Sequence, residues 1–332
     1  MNKIGLIGHG YWGKNILRNL INIVGISNIL VVDSDPDVCN WLKNNYKELN
    51  VDLSLDKALT NELIDKFIIA TPTCTHFEIA FKCLNLGKNV LVEKPLTTSY
   101  KEAQLLNDLA EEKQVLLMTD YTYVYNPNVE KIKEYINSGY LGTLNYIDFT
   151  RINLGKLQKE TNVLWDLACH DLSIINYLIK EKPYQIRAIA RKNNFMATEE
   201  LSHIFLEFQS GLLVHINSSW ASPIKIRKTI IGGDKRMIIF DDLEPEKKLT
   251  IYEYKQCPLI KNNNELTEYR LDNELIPEIQ YNEPLHLCIL DFVNCVKNKK
   301  QPKTNFDKTK DVILLIEKAN ESISNGGSPV KI

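Results

Sequence analysis

The segment that most restricts what this chain can fold into is Gly8-His9-Gly10-Tyr11-Trp12-Gly13, which follows an apolar run at residues 4–7 and opens a helical pattern over 13–23. Spaced in this way between a strand and a helix, each glycine has a physical task. Gly8 permits a tight turn, Gly10 lets the backbone approach a pyrophosphate, and Gly13 lets helix and strand pack closely, with the anion at the helix N-terminus. A glycine-rich turn alone is also compatible with a structural role. Asp33, twenty residues after Gly13 at the end of the next apolar run (29–32), adds a carboxylate placed to accept hydrogen bonds from a ribose diol.

The rest of the first third keeps the same rhythm. Strand patterns at 66–70, 90–92 and 115–118 alternate with helical patterns at 36–46, 75–85 and 99–112, the signature of βαβ units on a parallel sheet. A boundary near residue 120 gives a dinucleotide-binding domain over 1–120 and a second domain over 121–332, and 332 residues suit two cores. Beyond the boundary a helix at 129–138, a strand at 144–151 and a helix at 164–179 lead into hairpin patterns. Runs 201–208 and 212–219 flank Gln209-Ser210-Gly211, and runs 225–231 and 236–240 flank Gly232-Gly233-Asp234. With helices at 285–297 and 308–324, the second domain reads as an antiparallel or mixed sheet with helices on one face.

Charge and cysteine usage narrow the function classes. Forty Lys and Arg against 42 Asp and Glu give a net charge of −2, so no global field favours nucleic acid or an anionic membrane, and an anionic substrate needs a local basic site. No run reaches the roughly 18 to 20 apolar residues of a membrane span, and the first residues lack the apolar region of a secretory signal, so the expected location is the cytoplasm. Seven cysteines without a C-x-x-C pair argue against a disulfide framework and a zinc knuckle, and no metal is expected.

Asp33 also bears on the choice of cofactor. A carboxylate against the adenosine ribose repels a 2′-phosphate, and neither Arg nor Lys follows it immediately, so NAD is expected rather than NADP. Asp35, ahead of Pro36, reads as a helix N-cap. Two further segments, Ala70-Thr71-Pro72-Thr73-Cys74-Thr75-His76 and Glu93-Lys94-Pro95, follow strands at the ends where ligands bind in such folds. A partly desolvated Lys94 there suits proton donation or substrate anchoring; the plainer reading is a surface lysine before a turn proline. Asp166 and His170, at i and i+4 of a helical pattern that Ser173 and Tyr177 extend, read either as a carboxylate-oriented base or as a structural pair.

Taken together, Gly8-x-Gly10-x-x-Gly13, Ala70-Thr71-Pro72-Thr73-x-x-His76, Glu93-Lys94-Pro95 and Asp166-x-x-x-His170 resemble the Gfo/Idh/MocA oxidoreductases over essentially the whole chain. The resemblance implies an α/β protein: an N-terminal Rossmann domain plus a C-terminal α/β domain with a large open, mainly antiparallel sheet that commonly mediates dimers or tetramers. It implies hydride transfer between nicotinamide and a carbohydrate carbon, with Lys94 near the reacting oxygen, Lys94, Asp166 and His170 as the catalytic trio, and a Lys94–Pro95 bond that is often cis. Cofactor contacts are expected from Gly8, Gly10, Tyr11, Trp12, Gly13, Asp33, Thr71, Pro72, Thr73, His76, Glu93 and Lys94. One departure is the run Tyr121-Thr122-Tyr123-Val124-Tyr125 before Asn126-Pro127, where many members carry an Arg-Phe-like pair. His9 is expected to act through its backbone, His203 and His215 to sit half-buried on hairpin strands, and His286 to lie at a surface or interface.

The stretches 165–171 and 219–227 resemble segments frequent among members that serve surface-polysaccharide and nucleotide-sugar pathways. Lys225 and Arg227, two apart on a strand, are expected to point the same way and read either as a pair of cations for a diphosphate or as a solvated strand face. Arg151, Asn153 and Lys156, in a polar loop, are further substrate candidates. The expected activity is NAD-dependent oxidation of a secondary hydroxyl, C3 of a UDP-N-acetylglucosamine-type sugar or its uronate, by a homodimer or homotetramer. The competing readings are a free-sugar or inositol dehydrogenase, a 3-ketosugar reductase, and a silent NAD-binding sensor.

Overall fold

The computed structural model describes residues 3–155, 161–193, 198–261 and 264–332. The chain opens with β1 (Lys3–Ile7), α1 (Tyr11–Val24), β2 (Ile29–Val32), α2 (Pro36–Asn45), β3 (Asn50–Asp52), α3 (Leu55–Leu59), β4 (Ile64–Ile69), α4 (His76–Asn85), β5 (Asn89–Glu93), α5 (Tyr100–Glu112) and β6 (Leu117–Asp120). Among the described residues the six strands form one sheet in the order β3-β2-β1-β4-β5-β6, with every pairing parallel. All four residues of β2 are buried, and so are the last four of β4. Covered on both faces, such strands read as continuous apolar runs. The direction in which the strands are added reverses at β1, between β2 and β4, the switch point where ligands bind in open α/β sheets.

Helix starts follow local chemistry. The Asp35 carboxylate accepts from Asp37 N–H at 2.8 Å with Pro36 at the first helical position, and Ser99 Oγ accepts from Glu102 N–H at 3.4 Å. In contrast, α1 has Gly10 as its N-cap, without a side-chain bond and without an acidic residue in its first turn.

The chain continues with α6 (Pro127–Asn137), β7 (Leu144–Leu154), a π-helical turn Leu164–Ala168, α7 (Cys169–Leu178), β8 (Gln185–Arg191), β9 (Leu201–Glu207), β10 (Leu213–Ser219), β11 (Ala221–Gly233), β12 (Arg236–Asp241), β13 (Leu249–Lys261), β14 (Asn264–Leu275), α8 (Pro284–Asn298), α9 (Phe306–Ser324) and β15 (Val330–Lys331). Nine of these strands form a second sheet, ordered β14-β13-β12-β11-β7-β10-β9-β8-β15 among the described residues. Its pairings are antiparallel except β7 with β10. One face is core, with Ile147, Phe149, Ile204, Val214 and Ile216 almost fully buried; alternate positions on the other face leave Phe205 and Leu213 exposed.

Two compact units result, Met1–Tyr125 with Asn282–Leu314, and Asn126–Tyr281 with Leu315–Ile332. The segment holding α8 thus returns to the first unit, which a single boundary at residue 120 does not express. Periodicity also missed β3, α3, β8, β15 and the hairpin of β13 with β14. In that hairpin Lys255 stands opposite Arg270 and pairs with Asp272 at 2.7 Å, and the alternating apolar residues Tyr269 and Leu271 are exposed, so they mark no buried face. The expected helix over 164–179 is two elements, because Cys169 N–H reaches back to Leu164 O in the π turn before α7 begins. No described helix is long and apolar enough to cross a membrane.

Candidate active site

In the first unit the candidate residues collect at the carboxyl ends of β1, β2, β4 and β5. Gly8 has φ +91°, and a Cβ there would stand 2.6 Å from Ala70 O; a Cβ on Gly13 would stand 2.3 Å from Gly8 O. Both positions therefore exclude side chains, as the turn requires. A Cβ on Gly10 meets nothing within 4 Å, which leaves open backbone at the uncapped start of α1. Asp33 Oδ2 accepts from His9 N–H at 2.7 Å and Oδ1 from Asp35 N–H at 3.0 Å. The carboxylate so fixes the glycine turn while keeping acceptor capacity for a ligand hydroxyl. His9 contributes its backbone here, as expected. Tyr11 is 76% exposed and Trp12 42%, at the first turn of α1.

Thr71 and Thr73 are half-buried and Pro72 exposed, in the turn after β4 where Thr75 Oγ donates to Thr71 Oγ at 2.7 Å. His76 opens α4, 1% exposed, with Nδ1 2.8 Å from Pro95 O and Nε2 2.9 Å from Thr71 O. Burial, with the Lys94 charge nearby, holds this imidazole below its ordinary pKa, while the two carbonyls oppose that shift; the neutral ring donates to one of them at a time. Its role is to tie the Thr71 turn to Pro95, and neither nitrogen faces a ligand. The Lys94–Pro95 bond is cis. Glu93 is buried too, accepting from Lys94 N–H at 3.3 Å, so the expected cofactor contact of its side chain gives way to a place beneath the turn.

In the second unit Asp166 and His170 are both half-buried, Asp166 within the π turn and His170 in the first turn of α7. Trp220 Nε1 donates to Asp166 Oδ2 at 2.9 Å. The indole is 2% exposed and sits where Gly155 leaves room, since a Cβ there would lie 2.4 Å from its ring. Tyr177, expected to extend the same helical face, donates instead to both Glu130 oxygens at 2.9 Å, and burial with that carboxylate pushes its pKa up. Trp220 and Asp171 were not recognised as parts of this arrangement, although each stood inside a segment singled out for other reasons.

The expected phosphate cations separate. Arg151 belongs to β7 rather than to a loop; it is 4% exposed, and its Nε and Nη2 donate to Asp171 at 2.7 to 3.1 Å. Burial pushes the Asp171 carboxyl up while Arg151 holds it down, so this is a buried structural pair. The reading of Arg151 as a substrate cation is corrected on that ground. Arg227 lies opposite Arg151 in the β7/β11 register, half-buried and 3.6 Å from Asp242. Lys225 is exposed in the irregular stretch of β11 between Ala221 and Ile226, where strand alternation does not hold it to the face of Arg227. Asn153 is half-buried near the end of β7, and Lys156 lies outside the described residues. His203 and His215 are half-buried as expected, but joined, with Nδ1 of His203 3.1 Å from Nε2 of His215 and Nδ1 of His215 2.7 Å from Asp148.

Residues 2–121 match the model of the oxidoreductase family with an NAD-binding Rossmann fold, and residues 129–239 match the Gfo/Idh/MocA C-terminal domain. The scyllo-inositol 2-dehydrogenase (NAD(+)) of Bacillus subtilis is 26% identical over 99% of this chain and 96% of its own. The UDP-N-acetylglucosamine 3-dehydrogenase of Acidithiobacillus ferrooxidans is 29% identical over 38% of this chain and 39% of its own. A solved structure of that enzyme superposes with a TM-score of 0.82 at 20% identity, covering 97% of both chains, which shows the shared fold. The matched family model is an NAD-binding Rossmann fold, and the chain offers what NAD needs: open backbone at Gly10, uncapped N–H groups at α1, and the Asp33 carboxylate.

Proposed function

This chain is a member of the Gfo/Idh/MocA oxidoreductases, NAD-dependent dehydrogenases acting on hydroxyl groups, and from that premise we propose that it oxidises a secondary hydroxyl on a six-membered carbohydrate ring. The observation that carries the reading is the joint presence of the Gly8–Gly13 turn, fixed by Asp33, and Lys94 at the end of β5. NAD, when bound, accepts the hydride. Lys94 serves to polarise the hydroxyl oxygen as negative charge develops on it. His170 accepts the hydroxyl proton, imidazole being a side chain suited to proton exchange, and Asp166 orients it, held in turn by Trp220. His170→Ala is expected to slow turnover and flatten the acidic limb of the pH–rate profile; an unchanged limb assigns the base to Lys94.

For the substrate we propose C3 of a UDP-N-acetylglucosamine-type sugar or its uronate. A diphosphate supplies binding energy remote from the reacting carbon, which serves to orient the ring, and Lys225 and Arg227, each by itself, are candidates to hold it. A second reading, an inositol or free-sugar dehydrogenase, is favoured by the full-length likeness to the inositol enzyme and by the pairing of Arg151 with Asp171 and of Arg227 with Asp242. A cofactor-reduction screen over nucleotide sugars, free sugars and inositols separates them. Turnover of a free sugar or an inositol at least as efficient as that of any UDP-sugar replaces the first reading with the second, and no turnover despite NAD binding leaves a silent sensor. Assembly as a homodimer or homotetramer is proposed from the family resemblance and is checked by light scattering.

A further inference from the structure

Glu93 ends β5 and Asp120 ends β6, and the two are register partners in the parallel pair, so their side chains leave one face of the sheet side by side. Both are buried, at 7% and 2% exposure. Two buried carboxyl groups in contact cannot both ionise, because each charge is desolvated and repels the other. The surrounding donors decide where the charge rests. Asp120 accepts from Thr122 Oγ at 2.9 Å, from the Cys288 thiol on α8 and from Glu93 itself. Glu93 has the Lys94 backbone N–H at 3.3 Å and donates to Asp120. Asp120 is thus the better solvated anion and Glu93 the acid. The Cys288 thiol, buried beside both carboxyls and near Asp291, is pushed well up and stays a donor. Tyr125, bonded through its hydroxyl to Asp291 at 2.7 Å, is likewise held neutral by burial. Lys94, next in the chain to Glu93, is a cation that acts on both carboxyl groups.

We propose that Glu93 and Asp120 share one proton, carried on Glu93, and that the single negative charge left on Asp120 is a positioning device that keeps Lys94 an ammonium next to the NAD turn. Neither carboxyl need touch the substrate; they act through Lys94. The role of Lys94 rests on the function proposed above, whereas the shared proton does not, and the test separates the two.

The infrared spectrum of the full-length, NAD-loaded protein at neutral pH is expected to contain the C=O stretch of a protonated carboxylic acid that Glu93→Gln removes. Absence of that band, or its survival in Glu93→Gln, overturns the shared proton whether or not any substrate is found. On whichever substrate the screen identifies, Glu93→Gln keeps the Asp120 charge and leaves the alkaline limb of the pH–rate profile where it was. The double variant Glu93→Gln/Asp120→Asn removes the charge and moves that limb down by about one pH unit or more, the scale of one nearby opposite charge. An unmoved limb overturns the positioning role, since a purely structural pair would change stability alone. Should the double variant not fold, Thr122→Val withdraws one donor from Asp120 and is expected to shift the frequency of the Glu93 band; an unshifted band overturns the pair.

Discussion

The two regions that carry the candidate catalytic residues are built on opposite plans. At the end of β5, Lys94 is the one potentially reactive group in a short contiguous motif, and its supports are buried: Glu93 beneath it and His76 against Pro95. At the start of α7, Asp166 and His170 are half-buried, and a distant side chain, the Trp220 indole, fixes the carboxylate. The first region is stiffened by backbone and by neighbours in register, the second by tertiary packing into a π turn, an irregularity found often at functional sites. Reactive groups are more firmly placed where their supports are local, and more open to alteration where one long-range bond holds them.

The strongest way to break this contrast is in the second unit. Arg151→Ala takes from the buried Asp171 its hydrogen-bonded cation, with the charge of Arg227 still acting on it, and is expected to lower stability by about 3 kcal/mol, the lower end of the usual scale for breaking one partner of a buried pair. Denaturant unfolding checks it; a fully stable variant with a weakened KM for a phosphorylated substrate restores Arg151 as a ligand. Next is Lys94→Ala, expected to keep the fold and NAD affinity while lowering turnover a hundredfold or more, on the order of a lost electrostatic or acid–base group. Near-normal turnover in steady-state assays would take Lys94 out of the mechanism.

Trp220→Phe keeps an aromatic ring and removes only the donor to Asp166. A hydrogen bond to a charged group is worth about 1.5 to 3 kcal/mol, so turnover is expected to fall about tenfold or more with NAD affinity unchanged. An unaltered rate would show that the π turn alone orients the carboxylate.

A smaller effect tests the buried support of the first region. The Glu93 pKa is raised by burial and by Asp120, so the folded state binds a proton that the unfolded chain releases. Stability is full below the ordinary carboxylate range and declines as pH rises through the raised value. Glu93→Gln removes that decline, and thermal unfolding measured at a series of pH values should become flatter above the ordinary range than in the parent protein. An identical slope would mean that Glu93 is already ionised in the fold. Smallest is Asp33→Ala, expected to narrow the preference for NAD over NADP without abolishing turnover, as read by kcat/KM with each cofactor.

The βαβ rhythm, the glycine turn with Asp33 and the Glu93-Lys94-Pro95 motif were legible from the chain because each rests on interactions a few residues long or on strands buried on both faces. The same holds for the Asp35 and Ser99 caps. Asp166 and His170 were legible as candidates but not as a geometry, since the π turn breaks the helical spacing assumed for them. The hairpin of β13 with β14 was missed although Tyr269 and Leu271 alternate with Arg270 and Asp272, since those apolar residues are exposed and mark no core face.

Sequence by itself therefore determined the parallel sheet, its NAD-binding turn and the identity of the candidate reactive groups. Only the tertiary structure decided their partners: Asp171 for Arg151, Trp220 for Asp166, Asp120 for Glu93 and Asp242 for Arg227. Each of those pairings depends on strand register or on packing between elements distant in the chain. Burial then decides which charge is kept, paired or protonated, because the cost of an ion away from water is set by the groups that surround it in three dimensions.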